Sequence, residues 1–128
     1  MTAAQGGSDL PGSGEIVRSF YVAVVNRDIP AARRHLHDQL VFVGLFETYS
    51  SPDAYIAALT GLLQITVRLD VKTIIAERGQ AAIFFELETK APAAATTLVA
   101  EWHTVRDGKI VRVQSAFDGR PFEKLFTR

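Results

Sequence analysis

Apolar and polar residues alternate along the last third of the chain in a pattern that predicts two long strands. The segment 98–118, LVAEWHTVRDGKIVRVQSAFD, is divided at its middle by Asp107-Gly108. An Asp-Gly pair supplies the positive φ angles of a type I′ turn, so we predict a hairpin with Val105 opposite Ile110. One face then collects Leu98, Ala100, Trp102, Thr104, Val111, Val113, Ser115 and Phe117. The other collects Thr97, Val99, Glu101, His103, Val105, Ile110, Arg112, Gln114, Ala116 and Asp118. Since the first face is nearly all apolar, we expect it to look inward and the second to look outward.

Three further segments have the patterns of strands. Residues 40–46, LVFVGLF, form a continuous apolar run, which is typical of a buried strand. Apolar and polar residues alternate over 65–76 and over 82–90, and Arg78-Gly79-Gln80 lies between them as a turn. The chain thus predicts one early strand and four later strands joined by short turns.

Helical spacing appears in the first half of the chain. Residues 15–27 carry apolar side chains at helical intervals, with Ser13 as a possible N-cap. A second, short helix should start at Asp28-Ile29-Pro30 and run through Leu36, and a third should start at Ser50-Ser51-Pro52. A last turn of helix is expected at 122–126. The element order predicts an α+β fold, a cone-shaped curved antiparallel sheet with helices packed on its concave face and enclosing a pocket.

Length and composition fit one domain. Residues 1–14 are rich in Gly, Ser and other small residues and are expected to be a disordered tail, and residues 15–128 to be the domain. Lys and Arg number 14 and Asp and Glu number 14, so no overall field favours nucleic acid or a membrane surface as a partner. Cysteine is absent, which excludes disulfides, thiolate metal sites and thiol nucleophiles. No leader or membrane span is recognisable, so we expect a cytoplasmic protein. No cofactor is expected.

Several segments carry a family resemblance. FYVAVVNRDIPAARRHL, LVFVGLF, SPDAYIAAL, AEWHTVRDGKI and VQSAFDGRPF together resemble the SnoaL-like branch of the nuclear transport factor two-like superfamily. That superfamily includes ketosteroid isomerase, limonene epoxide hydrolase, scytalone dehydratase and polyketide cyclases. The resemblance covers nearly all of residues 15–128, and it implies a cone-shaped fold with a pocket for a small hydrophobic molecule and a homodimer.

The family's catalytic positions carry over in part. Tyr21 stands where ketosteroid isomerase has its oxyanion-donating tyrosine, whereas Gly44 stands where that enzyme has its general-base aspartate. The isomerase's second oxyanion acid falls near Glu101 or Trp102. The catalytic aspartate of the epoxide hydrolase falls near Ser115, which is not acidic. Asp118 resembles the aspartate that closes the last strand in many relatives, but it belongs to the outward face.

Tyr21, Glu101 and His103 are the candidate catalytic residues. Glu101 and His103 share a strand face about 7 Å apart, so the carboxylate could orient the imidazole as an acid–base pair. The alternative, which the outward face assignment favours, is that they form, with Arg112 and Gln114, a polar outer face or a dimer contact. Tyr21 could equally be an ordinary core residue. His35 and His37 lie at i and i+2 of a predicted helix and do not point together, so no metal site is expected.

Aromatic and small polar side chains are the candidate wall of the pocket. The predicted ligand-binding residues are Phe20, Phe42, Tyr55, Phe85, Trp102, Ser115 and Phe117. From this set we expect a protein that binds a small hydrophobic ligand. One alternative is an isomerase, cyclase, dehydratase or hydrolase acting on a polyketide-like or steroid-like compound through Tyr21, Glu101 and His103. Another is a non-catalytic module for dimerisation or partner binding.

Overall fold

The structure is a computed structural model that describes residues 12–126. Its helices are α1 (Ser13–Val25), α2 (Ile29–Arg34), α3 (Pro52–Ile65) and a short α4 (Glu123–Phe126), which follows a 3-10 turn at Arg120–Phe122. Its strands are β1 (Leu36–Val43), β2 (Thr48–Tyr49), β3 (Thr66–Glu77), β4 (Gln80–Thr89), β5 (Ala95–Arg106) and β6 (Lys109–Phe117). The predicted α+β class is confirmed.

One curved sheet holds all six strands, in the order β2-β1-β6-β5-β4-β3. Neighbours pair antiparallel except β1 and β6, which run parallel. The predicted curved antiparallel sheet is thus found, with one parallel pairing added where β1 lies beside β6 and runs in the same direction. Helices α1 and α3 cover the inner face of the sheet and bury the core against it.

Helix starts follow capping chemistry at two of the three predicted sites. Ser51 accepts a hydrogen bond from the Ala54 backbone N–H at the start of α3, and Asp28 accepts one from Ala31 at the start of α2. Ser13 is not a cap. It is the first residue of α1, and its hydroxyl donates to the Gln80 carbonyl oxygen at 2.9 Å, which joins the helix to β4.

The first strand begins earlier than its apolar run. Helix α2 ends at Arg34, and β1 starts at Leu36 because pairing with β6 reaches back to this point. The Ile110 backbone N–H donates to the His35 carbonyl oxygen at 2.8 Å. His37 therefore lies on a strand, and its Nε2 is 3.4 Å from an Asp107 carboxylate oxygen. The two-residue strand β2 was not predicted.

A β-bulge in the terminal hairpin decides which side chains face the core. The Asp107-Gly108 turn has the positive φ angles expected, 56° and 75°, and Val105 does pair with Ile110. The next pair is Thr104 with Arg112, so Val111 is an extra residue on β6. Beyond it, Glu101 lies opposite Ser115 and His103 opposite Val113.

The face assignment was therefore wrong for β5 and right for β6 only beyond the bulge, since Ile110, predicted to lie outward, is fully buried. Val113 and Ser115 are buried, as predicted, and Arg112 and Gln114 are exposed. On β5 the inward residues are Thr97, Val99, Glu101 and His103, and the outward ones include Leu98 and Trp102. A slip of one residue in pairing exchanges the two faces of a strand, and the bulge introduces that slip into the predicted register.

The predicted tail falls mostly on residues 1–11, which lie outside the described part of the chain. Gly12 is the N-cap of α1, and residues 13 and 14 lie within its first turn, so the predicted boundary at residue 14 was too late for these three. Within residues 12–126, no helix combines the length and apolar character that crossing a membrane requires.

Candidate active site

A cavity of about 400 Å³ lies between α3, the inner face of the sheet and the loop that joins β1 to β2. Of the predicted wall residues, it is lined by Phe42, Tyr55, Phe85, Ser115 and Phe117. Leu59, Leu62 and Leu69 add aliphatic wall from α3 and β3. The size and the apolar lining suit one small organic molecule.

Two predicted wall residues lie elsewhere. Trp102 is 55% exposed on the outer face, where its indole N–H donates to Gln80 Oε1 at 2.8 Å. Phe20 is fully buried beneath the cavity, with its ring 5.1 Å from that of Tyr21 and 6.3 Å from that of Tyr55. Trp102 was wrongly predicted to line the cavity because the bulge shifts the register of β5 and β6. Phe20 was wrongly predicted to line it because its side chain on α1 packs into the core.

Glu101 carries the chemistry of the cavity. Its side chain is only 7% exposed, lies on β5 and lines the cavity wall. The Tyr21 hydroxyl donates a hydrogen bond to Glu101 Oε1, and His103 Nε2 lies 3.2 Å from the same oxygen. The prediction that Glu101 and His103 form an outer face or a dimer contact was therefore wrong. Because both bonds reach Oε1, Oε2 has no hydrogen-bond donor among the described residues and is available to a ligand.

His103 supports Glu101 from behind the cavity wall. Its side chain is fully buried, and Nδ1 has no hydrogen-bond partner in the described part of the chain. A doubly protonated ring would leave a buried N–H without an acceptor, which is costly, whereas a neutral ring leaves only a lone pair. The arrangement therefore favours a neutral imidazole that donates from Nε2 to Glu101.

Two buried tyrosines flank the carboxylate. Burial raises the pKa of Tyr21 well above its ordinary value, and the negative charge of Glu101 raises it further. Burial and then the Glu101 charge also raise the pKa of Tyr55, while a hydrogen bond with Tyr21 acts in the opposite direction. Both groups are therefore phenols, and so hydrogen-bond donors, at neutral pH.

The mouth of the cavity includes residues that the sequence did not reveal as a group. Leu45, Glu47 and Gly61 are lining residues that are also exposed, so they mark the opening. Tyr49 lies beside Glu47, and burial followed by the Glu47 charge raises its pKa. The sequence did not predict β2, which lies beside the mouth, because two residues are too few to produce a periodic pattern.

Gly44 and Ser115 stand at the two positions where the resemblance implied catalytic aspartates in other enzymes. Gly44 lines the cavity, and a Cβ there would lie 2.8 Å from Phe42 Cε2, so the ring occupies the space a larger side chain would need. Ser115 lies directly opposite Glu101 on β6. Asp118 is exposed, as predicted, and Arg120 lowers its pKa to about 2 through hydrogen bonds.

This geometry can move a proton. A carboxylate in an apolar cavity, with one oxygen held by two donors and the other available, can accept a proton from a ligand and return it. The hydroxyl of Ser115 lines the same cavity and can donate to a carbonyl oxygen of that ligand.

Comparison with known proteins finds one matching family model and several solved structures with a similar fold. The model of the SnoaL-like domain family matches residues 17–113. No curated protein matches the sequence. A crystal structure from Kribbella flavida DSM 17836, described as a protein of known function, is 26% identical, with a TM-score of 0.80 over 88% of this chain and 92% of that one.

Two other solved structures share the fold at lower identity. An LEH-like epoxide hydrolase from M. tuberculosis is 19% identical, with a TM-score of 0.72 over 89% of this chain and 88% of that one. A putative polyketide cyclase from Sinorhizobium meliloti is 16% identical, with a TM-score of 0.73 over 84% of this chain and 96% of that one.

Proposed function

The chain belongs to the SnoaL-like domain family, and from this premise we propose that it is an enzyme that transfers a proton on a small apolar compound bound in the cavity. Glu101 is the proposed proton acceptor and donor. The observation that carries the proposal is the buried Glu101 carboxylate, which lines an apolar cavity and has Oε1 engaged but Oε2 available.

The proposed step is the removal of a proton next to a carbonyl group. A C–H bond of the ligand breaks, an O–H bond forms on Glu101 Oε2, and the electron pair moves onto the carbonyl oxygen. The Ser115 hydroxyl donates to that oxygen as its negative charge develops. Return of the proton to another carbon completes an isomerisation. Its transfer from Glu101 to a β-hydroxyl group, which leaves as water while the electron pair forms a C=C bond, completes a dehydration.

Tyr21 and His103 have supporting roles in this proposal. Tyr21 already donates to Glu101, so it acts on the carboxylate and not as a donor to the ligand. His103 does not line the cavity, so it is proposed to orient Glu101 and not to shuttle protons to solvent. Likeness in fold to an epoxide hydrolase and a polyketide cyclase supports a ligand-transforming role but does not select the reaction.

The test uses a hydrophobic cyclic ketone, β-tetralone, in deuterium oxide. We expect the protein to accelerate exchange of the protons next to the carbonyl, followed by proton NMR. Glu101→Gln should slow this exchange by about a hundredfold or more, in the range that general acid–base groups contribute. Glu86→Gln, the same change on the outer face of the sheet, is the control. Equal exchange by wild type and Glu101→Gln would contradict the proposal.

We also propose that the outer face of the sheet pairs two copies of the chain. Its apolar residues, here called the outer patch, are Ile75, Ala82, Phe84, Leu98, Ala100 and Trp102. They are contiguous, since Ile75 lies opposite Ala82 and Ala82 opposite Trp102. Ile75, Leu98 and Trp102 are 63%, 60% and 55% exposed. The formal net charge of zero means that two copies do not repel each other.

A further inference from the structure

We infer that the cavity selects its ligand by charge, taking neutral or cationic apolar compounds and rejecting those that carry a carboxylate or a phosphate. The inference deepens the proposed function and rests on it, because it concerns the ligand of the same cavity. Its basis is the sign of the ionisable groups in the wall. Among the described residues that line the cavity, two carry carboxyl groups, Glu101 at the inner end and Glu47 at the mouth, and none is Lys, Arg or His.

Two arginines on the surrounding elements already have partners. Arg27 donates to the carbonyl oxygens of Leu63 and Thr66 at 2.6 and 3.0 Å. Arg120 follows Gly119, which packs closely against Leu45 and Phe46 of the cavity wall. Its guanidinium group donates to Asp118 Oδ2 at 2.6 Å. Neither arginine is therefore available to neutralise an anion that enters the cavity.

The wall itself favours a positive charge over a negative one. Phe42 and Tyr55 are stacked with ring centroids 4.6 Å apart, and Tyr21 and Phe85 lie 5.3 Å apart on the other side. The face of an aromatic ring attracts cations, and an apolar wall screens a charge poorly. A ligand ammonium group near Glu101 Oε2 is thus attracted by the carboxylate, whereas a ligand carboxylate is repelled.

The proposed proton transfer is consistent with this selection. When Glu101 takes a proton from a neutral ligand, the negative charge moves from the carboxylate to the ligand, and the total charge inside the cavity does not change. A ligand that arrives with its own negative charge would instead place two negative charges in one desolvated space.

Three compounds on one naphthalene skeleton test the inference: naphthylmethylamine, naphthylmethanol and naphthoate. Their affinities are measured by isothermal titration calorimetry near neutral pH. We expect the ammonium compound to bind at least as tightly as the alcohol, and naphthoate to bind at least about tenfold more weakly than the alcohol.

Glu101→Gln keeps the shape of the side chain and removes its charge. In this variant we expect naphthoate to bind more tightly than it does to wild type, and the ammonium compound to lose at least about tenfold in affinity relative to the alcohol. Glu86→Gln should leave all three affinities unchanged.

Two results separate this inference from the proposed function. Equal affinity of wild type for naphthoate and naphthylmethanol, or ratios between the three affinities that are the same in Glu101→Gln as in wild type, would overturn the charge selection and leave the ligand cavity intact. Failure of all three compounds to bind would contradict the proposed apolar ligand site, and the charge selection with it.

Discussion

Glu101 is a buried carboxylate, and its surroundings explain why the fold tolerates it. Burial of a charged group without partners costs several kcal/mol, at the order of magnitude of the stability of a whole domain. Donation from Tyr21 and from His103 Nε2 offsets this cost at Oε1. The two donors come from different elements, α1 and β5, so the site depends on the packing of helix against sheet.

The Tyr21 hydroxyl should contribute measurably to stability. We expect Tyr21→Phe to lower the free energy of unfolding by about 1–3 kcal/mol near neutral pH, since it leaves a buried carboxylate with one donor fewer. Urea unfolding followed by circular dichroism measures the change. Tyr49→Phe, which removes a hydroxyl at the half-buried mouth, is the matched control and should cost less. Equal losses in the two variants would contradict the role given to Tyr21.

Stability should also fall at alkaline pH. The pKa values of Tyr21 and Tyr55 are raised by burial in the folded chain, whereas the unfolded chain releases these protons near pH 10. The stabilisation is therefore complete below about pH 10 and is lost as the pH rises towards the folded pKa values. Unfolding measured across this range should show a shallower loss in Tyr21→Phe. An identical pH dependence in both proteins would contradict this assignment.

The Ser51 cap at the start of α3 should contribute to the stability of the fold. Ser51→Ala removes the side chain that accepts the Ala54 N–H, so we expect a loss of about 1 kcal/mol in the free energy of unfolding. Differential scanning calorimetry should show a melting temperature lower by a few degrees, about the shift that such a loss causes in a domain of this size. Ser50→Ala, one residue earlier and outside the helix, should have little effect. The cap would be disproved by equal shifts in the two variants.

The elements show what the sequence could and could not predict. Ser51-Pro52 and Asp107-Gly108 act through local chemistry, so the start of α3 and the last turn were predictable. The inward face of β5 was not, because it depends on the bulge at Val111 and on two partners of Glu101, one of which, Tyr21, is 80 residues away in sequence. Ranking faces by apolar content placed Trp102 inside, since the pattern alone does not reveal that a buried acid has donors.

The same reasoning applies to the cavity wall. Phe42, Tyr55, Phe85, Ser115 and Phe117 were predictable because they lie on the buried sides of regular elements. The mouth formed by Leu45 and Glu47 was not, since it lies in the loop between β1 and the very short β2. Resemblance to a family predicted the pocket, but Gly44 stands where ketosteroid isomerase has its general-base aspartate. The carboxylate that lines the cavity is instead that of Glu101 on β5.

The outer patch should determine whether the chain is a monomer or a dimer. We expect the wild-type chain to form a dimer in sedimentation equilibrium and Trp102→Asp to be monomeric, because the change places a charge within the proposed apolar interface. Val22→Asp is the matched control, since Val22 is equally exposed, at 55%, but lies on α1 at the inner side of the sheet. A monomeric wild-type chain, or a dimer that survives Trp102→Asp, would contradict the proposed interface.

The central claim is that the Glu101 carboxylate meets the ligand inside the cavity. A carbon-13 NMR titration of the glutamate side-chain carboxyl groups with naphthylmethanol tests it directly. The account predicts that the Glu101 carboxyl signal shifts as the compound binds, while those of Glu86 and Glu88 on the outer face stay in place. A Glu101 signal that does not move while the compound binds would contradict it.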